Sequence, residues 1–267
     1  MMKEMPLGRQ TPSPEAYDPS VLYPIPRGGP RPGMHGFDLW RAYELSWLDG
    51  KGKPEAAVLQ LVYPIASRNI VESKSLKLYL NGISNTAFAE QGELLRTIRA
   101  DLEAVLDAPW VHVSLMADRQ GPPPDWVHSL PGESIDGLDI GEFPDRPDPG
   151  ILKVEENQKP ESLHSHLLKT YCPITGQPDW ASVLVEYRGK GIDRASLLEY
   201  LYSYRGYQGF SEECCERIFE DIGKACSPEA LAVSCFYTRR GGIDINPVRS
   251  SYEKSPEESA RYRLLRQ

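Results

Sequence analysis

The segment SLHSHLLKTYCPITGQPDWASVLVEY, residues 162–187, predicts two β-strands joined by a shaped loop. The strands are Ser162–Thr170 and Ala181–Tyr187, and the second is a short apolar run of the kind that forms a buried strand. The loop contains three residues that favour turns, Pro173, Gly176 and Pro178. Loops that rigid strands hold in place often carry catalytic side chains, so this loop is a candidate site.

Helices and further strands are expected on both sides of this segment. The helices are predicted at Phe88–Leu106, Asp193–Tyr204 and Ser211–Ala225. Further strands are predicted at Ala56–Ile65, Ser73–Leu80, Trp110–Met116, Ala230–Tyr237 and Ile243–Asn246. Because Ser73–Leu80 alternates polar and apolar residues, it is expected to form a hairpin with the strand before it. The order of elements indicates an α+β fold with helices on one face of antiparallel sheets.

The distribution of proline and glycine suggests how the chain is divided. Residues 1–34 are dense in both, which predicts an extended arm on the surface, anchored by Tyr17, Leu22 and Tyr23. Residues 121–150 are rich in proline, glycine and aspartate and are typical of a long connection. A boundary near residue 150 would therefore separate an N-terminal module, 35–150, from a C-terminal module, 151–267.

Composition limits the classes of function. The net charge of −8 argues against a general nucleic-acid-binding surface, which needs a basic face. No apolar run approaches the ~20 residues of a membrane-spanning helix, so a cytoplasmic protein is expected. None of the five cysteines lies in a CxxC pair or at the spacing of a zinc site, so no metal is predicted. No histidine lies beyond position 166, so any acid–base chemistry in the C-terminal region must use other side chains.

The strongest candidate for a nucleophile is Cys172 in the loop between the two strands. A cysteine becomes a good nucleophile when a nearby base or positive charge favours its thiolate. Asp179, seven residues further on, is a candidate for that base or for a later proton donor. The alternative is a buried, inert cysteine beside an aspartate that helps to form the turn.

Two basic segments are candidates for binding an anion. In Val71–Tyr79, VESKSLKLY, serine and lysine could bind phosphates, with Lys74 and Lys77 on opposite faces of the predicted strand. The alternative is a solvated edge strand whose lysines prevent aggregation. In Thr238–Asp244, TRRGGID, two glycines would let the backbone approach an anion beside Arg240, although a simple basic turn has the same pattern.

Taken together, these segments resemble the nitrile reductases that convert 7-cyano-7-deazaguanine to 7-aminomethyl-7-deazaguanine on the queuosine pathway of tRNA modification. The resemblance is to the long, two-module form and covers nearly the whole chain. It rests on YDPSVLYPIPR (17–27), FDLWRAYELSWL (37–48), ESKSLKLYL (72–80), SHLLKTYCPITGQPDW (165–180), YRGKGID (187–193), CERIFEDI (215–222) and YTRRGGIDINPVRS (237–250). It implies tandem tunnelling-fold modules and a homodimer that binds a small molecule rather than nucleic acid or membrane.

The resemblance also implies roles for individual residues. Cys172 would attack the nitrile carbon to form a covalent thioimide, Asp179 would relay protons, and NADPH would deliver two hydrides. Three sets of contacts are implied: Val71, Glu72, Ser73, Ser211 and Glu212 with the deazapurine, Ser73 and Lys74 with NADPH, and Arg240 and Gly241 also with NADPH.

One residue departs from the family pattern. Ser211 stands where the family ordinarily has a histidine that helps to bind substrate and handle a proton. Followed by two glutamates, Ser211 is also a good candidate for a helix N-cap. Two alternatives to a complete reductase are considered. The first, prompted by Ser211, is a protein that traps the nitrile covalently without turnover. The second is an amidinotransferase of the archaeosine type, which shares the thioimide step. The second is disfavoured because those relatives generally lack the signature at residues 72–80.

Overall fold

The structure is a computed structural model that describes residues 5–8, 12–28, 31–116, 125–141 and 144–267. The chain forms two units, each of which is described by itself. Unit 1 consists of Met1–Pro30, Leu39–Asp125 and Arg240–Ile243, and unit 2 of Arg31–Asp38, Trp126–Arg239 and Asp244–Gln267. The α+β class is confirmed, while the module boundary near residue 150 stays a prediction. Among the described residues, no helix is both long and apolar enough to cross a bilayer.

Unit 1 combines a small antiparallel sheet with two helices. Its elements are β1 (Pro24–Pro26), most of β2 (His35–Leu48), β3 (Pro54–Pro64), β4 (Asn69–Val71), α1 (Ser73–Ser84), α2 (Gln91–Leu106) and β5 (His112–Met116). Strand β3 lies between β2 and β5, and β1 pairs with β4. Helix α2 buries one apolar stripe at helical spacing, made of Leu94, Ile98, Leu102 and Leu106.

The predicted arm is anchored in unit 1 by the three residues named from the sequence. The Tyr17 hydroxyl donates to Asp101 at 2.8 Å, Leu22 is buried, and the Tyr23 amide donates to the Ser75 hydroxyl at 3.0 Å. These contacts confirm the anchors. Residues 1–4, 9–11 and 29–30 of the arm lie outside the described part of the chain.

Unit 2 is a larger sheet with helices on one face. Its elements are β6 (Glu133–Ser134), β7 (Val154–Tyr171), β8 (Pro178–Ile192), α3 (Arg194–Tyr202), α4 (Ser211–Cys226), β9 (Ala230–Tyr237), β10 (Ile243–Ser250) and α5 (Pro256–Ala260). The strand order is β10-β9-β8-β7-β6, antiparallel except for β6 with β7. Strand residues such as Val183 and Val185 share a core with Leu197 of α3 and Ile218 of α4.

The predicted strand Ser73–Leu80 is wrong, and so is the hairpin. The segment is helix α1, which buries Leu76, Leu80 and Ile83 at spacings of four and three residues. An eight-residue window with alternating lysines and leucines fits both periods, and the choice is made by tertiary burial of the helical stripe. Lys74 and Lys77, three residues apart in a helix, therefore lie on the same side and not on opposite faces.

The 14-residue strand β2 was not predicted from the sequence. Its apolar pattern is interrupted by Asp38 and Arg41, both of which are buried. In unit 2 the Asp38 carboxylate accepts a hydrogen bond of 2.8 Å from the guanidinium of Arg249, which is also fully buried. In the sequence, a charged residue whose partner lies 211 positions away is taken for a surface residue. The apolar pattern of the strand is therefore not recognised.

Only part of the predicted connection at 121–150 can be compared, since residues 121–124 and 142–143 lie outside the described ranges. The remainder contains the short strand β6 and a 3-10 turn at Pro149–Ile151. Elsewhere the predicted strands and helices of the C-terminal region are confirmed, and Ile243–Asn246 extends to Ser250.

Candidate active site

Cys172 lies in the tight loop that joins β7 to β8. Its amide donates to the Gln177 carbonyl at 2.9 Å, and its carbonyl accepts from the Gly176 amide at 3.0 Å. These two bonds close the loop at both of its ends, and Tyr171 lies opposite Pro178 just before it. The thiol is buried, with 7% of the residue exposed. The loop therefore holds Cys172 in one backbone position at the end of a rigid strand pair.

Asp179 is placed on the same face of the sheet as Cys172. It lies directly opposite Thr170 in the β7–β8 register. Cross-strand partners project to the same side, and so do residues two apart in a strand, which aligns Thr170 with Cys172 at the strand end. This is the face that carries the core shared with α3 and α4. The sequence-predicted pair is thus brought onto one face by strand register.

A second segment is paired to the other edge of β7 at this point. The Tyr171 amide donates to the Tyr207 carbonyl at 2.8 Å, and the Tyr171 carbonyl accepts from the Gly209 amide at 3.1 Å. A Cβ on Gly209 would lie 2.7 Å from the Tyr207 ring, so the close approach requires glycine. Helix α4 begins two residues later, so its first turn starts beside the strand end that carries Cys172.

The first turn of α4 contains Ser211 and Glu212. The expectation that Ser211 caps the helix is wrong: the N-cap is Phe210, and the Glu213 side chain accepts from the Phe210 amide at 3.1 Å. Ser211 is instead the first residue of the helix, one position beyond the N-cap. Glu212 is 2% exposed, an unusual setting for a carboxylate, which the positive end of the helix dipole favours.

In unit 1, Glu72 is the N-cap of α1. Its carboxylate accepts from the Lys74 amide at 2.5 Å and the Ser75 amide at 2.8 Å, and its own amide donates to the Tyr23 carbonyl at 2.9 Å. Burial raises the pKa of Glu72, although these hydrogen bonds and the nearby lysines oppose the shift. Val71, which ends β4 just before it, is also buried. Glu72 therefore has a structural role that the sequence did not indicate.

The turn Arg240–Ile243 lies beside α1 within unit 1. The Arg240 amide donates to the Ile243 carbonyl at 3.0 Å, and Gly241 and Gly242 have φ values of +57° and +76°. Two successive positive φ angles are the mark of a type I′ turn. A Cβ on Gly241 would lie 3.0 Å from the Lys77 ammonium nitrogen. The turn thus lies against the side chain of Lys77 in α1.

Comparisons with known proteins identify the family of the chain. The family model described as "Nitrile reductase, 7-cyano-7-deazaguanine-reductase N-term" matches residues 13–115, and the model "QueF-like protein" matches residues 178–256. A protein of Burkholderia lata named NADPH-dependent 7-cyano-7-deazaguanine reductase is 45% identical over 96% of both chains. Proteins with the same name from Bordetella pertussis and Desulfotalea psychrophila are 44% and 43% identical over 97% and 98% of this chain, and over 98% and 97% of their own lengths.

This chain belongs to the 7-cyano-7-deazaguanine reductase family. Its relatives are named NADPH-dependent, and unit 1 carries the residues predicted to contact this cofactor. Ser73 supplies a hydroxyl, Lys74 and Arg240 supply cations, and the missing side chain of Gly241 leaves room beside Lys77. Since Glu72 already binds the amides of Lys74 and Ser75, side chains rather than the helix terminus would hold the phosphates.

Two buried hydroxyls near the β7–β8 loop, those of Thr170 and Tyr237, were not predicted from the sequence. Thr170 was seen only as a strand residue, and Tyr237 only as the end of a strand. The available signal was the spacing of two between Thr170 and Cys172, which puts both side chains on one face. Tyr237 could not be placed from sequence because it reaches this face through its pairing with Ala181.

Proposed function

We propose that this reductase converts the nitrile of 7-cyano-7-deazaguanine to the aminomethyl group with NADPH, in queuosine biosynthesis. The observation that carries the proposal is the similarity over 96% of the chain to reductases with that name. The local structure supports it, because Cys172 and Asp179 share one face at the end of a strand pair and the α4 terminus is paired beside them.

The covalent step is assigned to Cys172. Its sulfur attacks the nitrile carbon, one C≡N π bond breaks, and the nitrogen takes up a proton, so that the S–H bond is added across the triple bond to give a thioimide. Asp179 accepts the thiol proton and passes it to the nitrogen. A neutral nitrile is a poor hydride acceptor, whereas the protonated C=N bond of the adduct accepts hydride readily. NADPH, when bound, supplies the two hydrides of the complete reduction.

Recognition of the deazapurine is assigned to Glu212 and the residues around it. A carboxylate accepts two parallel N–H bonds, which suits the donor edge of a guanine-like ring. Ser211 adjoins it at the start of α4 and offers a hydroxyl. Substrate contacts by Val71, Glu72 and Ser73 stay predictions from the family, as do cofactor contacts by Ser73, Lys74, Arg240 and Gly241.

The decisive assay incubates the protein with 7-cyano-7-deazaguanine, with and without NADPH, and analyses product and intact mass. We expect a mass increase on Cys172 without NADPH and amine product with it. Cys172→Ala should abolish both, and Cys226→Ala, a change at a buried cysteine at the end of α4, should alter neither. Absence of adduct and amine with the wild-type protein would refute the proposal.

A second function, covalent trapping without turnover, is favoured by one observation, the serine at position 211. A hydroxyl is a poor proton shuttle near neutral pH, so the adduct could accumulate. The two functions are distinguished by NADPH oxidation, which a trap lacks. Replacement Ser211→His tests the same point: if proton transfer limits the wild type, turnover should rise by up to about 10² fold, and unchanged turnover would remove this idea.

The finer assignments of architecture rest on the family alone. We infer that the modules have the tunnelling fold, that the working form is a homodimer in the cytoplasm, and that no nucleic acid is bound directly. Mass measurement by light scattering tests the assembly: a monomer mass of 30.0 kDa at assay concentration, with full activity, would contradict the dimer.

A further inference from the structure

Two buried hydroxyls face the same side of the sheet as Cys172 and Asp179. Thr170 is fully buried, and Tyr237 is 4% exposed. Thr170 lies opposite Asp179, and Tyr237 lies opposite Ala181, which is two residues further along β8. Because Ala181 is small, the Tyr237 ring can reach across it toward Thr170. The three polar side chains therefore follow one another along a single face.

Neither hydroxyl forms a well-aligned hydrogen bond with any residue in the described part of the chain. They are nevertheless close: burial raises the pKa of Tyr237 well above its usual value, and the Thr170 hydroxyl partly opposes that shift. Tyr237 is thus a neutral donor. Buried hydroxyls without a good partner cost desolvation free energy, and folded proteins rarely keep them without a use.

We propose that Thr170 is a positioning residue for Asp179, donating a hydrogen bond to its carboxylate when substrate is bound, so that the carboxylate is oriented to take the thiol proton of Cys172 and pass it to the nitrile nitrogen. This rests on the proposed function. Cross-strand partners have Cβ atoms about 4.5–5.5 Å apart, which lets a threonine hydroxyl reach the neighbouring carboxylate. Tyr237 donates in turn to the Thr170 oxygen, which orients the Thr170 hydroxyl toward the carboxylate of Asp179.

If Thr170 positions Asp179, replacing Thr170 should change stability and activity in opposite directions. Thr170→Val keeps the branched shape and removes a hydroxyl that has no good partner at rest. The thermal midpoint should therefore stay the same or rise, whereas thioimide formation should slow by about tenfold, the effect of one hydrogen bond in the transition state. Thr170→Ser should restore the rate. Binding of 7-deazaguanine, which lacks the nitrile, should not change, so the loss should appear in kcat and not in KM.

Ser203→Ala is the matched control. Ser203 is a fully buried hydroxyl of the same unit that does have a partner, the Tyr200 carbonyl. Its removal should lower the thermal midpoint and leave thioimide formation unchanged. Tyr237→Phe should slow thioimide formation less than Thr170→Val does, and it should have no further effect in the Thr170→Val background, because the relay to Asp179 is already broken.

The rate of Cys172 adduct formation, followed by mass spectrometry in wild type and variants, decides the matter. A Thr170→Val variant that forms adduct at the wild-type rate overturns the inference. So does a folded Thr170→Ser variant that stays slow, since the loss would then come from packing. Absence of adduct in the wild type itself would be the failure of the proposed function, with which this inference also falls.

Discussion

The carbonyl of Tyr171 accepts a hydrogen bond of 3.1 Å from the amide of Gly209, one residue before the candidate nucleophile and two residues before α4. This bond joins the strand end that carries Cys172 to the segment that leads to Glu212. Neither side chain takes part in this bond, which joins backbone atoms only. The bond nevertheless fixes the position of the strand end that carries Cys172 relative to the start of α4, which carries Glu212.

Gly209→Ala should damage this pairing. The new Cβ would lie 2.7 Å from the Tyr207 ring, and such overpacking typically costs about 1–3 kcal/mol of unfolding free energy. Slower adduct formation should accompany the loss. Gly223→Ala is the control. Gly223 lies within α4, and its new Cβ would be 4.0 Å from Leu231, so alanine fits there and should stabilise the helix by about 0.5–1 kcal/mol. Urea unfolding measures both, and a neutral Gly209→Ala would contradict the requirement for close approach.

Gly241→Ala should weaken cofactor binding. The residue has φ +57°, so alanine would strain the turn. Its Cβ would also lie 3.0 Å from the Lys77 ammonium nitrogen and would crowd the side chains predicted to bind the phosphates of NADPH. We expect a higher KM for NADPH. Gly52→Ala provides the comparison, since Gly52 has φ +81° with nothing within 4 Å of the new Cβ. It should show strain as a lower thermal midpoint with an unchanged KM, and equal KM values for both variants would argue against the site.

Arg249→Met should be strongly destabilising. The guanidinium is fully buried and binds Glu216 at 2.9 Å and Asp38 at 2.8 Å. Its removal would take this cation away from two buried carboxylates, of which Glu216 keeps a second pair with Arg31 at 2.8 Å. Breaking a buried pair from one side costs about 3–5 kcal/mol. For contrast, Arg188→Met removes an exposed pair with Glu229, where a change within about 0.5 kcal/mol is expected. A loss below 1 kcal/mol for Arg249→Met, read from urea midpoints, would mean that the site relaxes or admits water.

The pH dependence of stability should differ in sign between Glu72 and Glu161. Burial raises the pKa of Glu72, so the native state holds its proton more tightly than the unfolded chain, and this contribution to stability is lost as pH rises through the native pKa. Burial also acts on Glu161, but hydrogen bonds from Tyr187 and Arg194 outweigh it and lower its pKa, so its contribution is present at neutral pH and lost on acidification.

Glu72→Gln and Glu161→Gln separate the two cases. Relative to wild type, Glu72→Gln should lose least stability at neutral pH and more toward acid, as pH falls through the raised native pKa. Glu161→Gln should be most harmful at neutral pH and less so in acid. Unfolding curves at several pH values above and below about 4.3, the usual glutamate pKa, provide the test. Parallel slopes for the two variants would show that one of the shifts has the wrong direction.

The candidate catalytic residues could be proposed from the sequence. Cys172 stands in a loop marked by its own prolines and glycine, and Asp179 follows it at the start of β8. The strands on both sides have a clear apolar pattern, so local residues suffice to propose the pair. The arm anchors Tyr17, Leu22 and Tyr23 were also found, because isolated large side chains in a proline-rich stretch have few other uses. Local pattern failed where two periods fit equally well, as in α1, and where buried charges imitate a surface, as in β2.

The sequence by itself determined the α+β class, the loop that carries Cys172 and the family. Only the tertiary structure decided that Glu72 caps a helix, that Phe210 rather than Ser211 begins α4, and that Thr170 lies opposite Asp179. The physical reason is range. Periodicity, turn residues and motifs are properties of neighbours in the chain, whereas register, caps and burial depend on which distant backbone a residue meets, as the Tyr171–Gly209 bond shows.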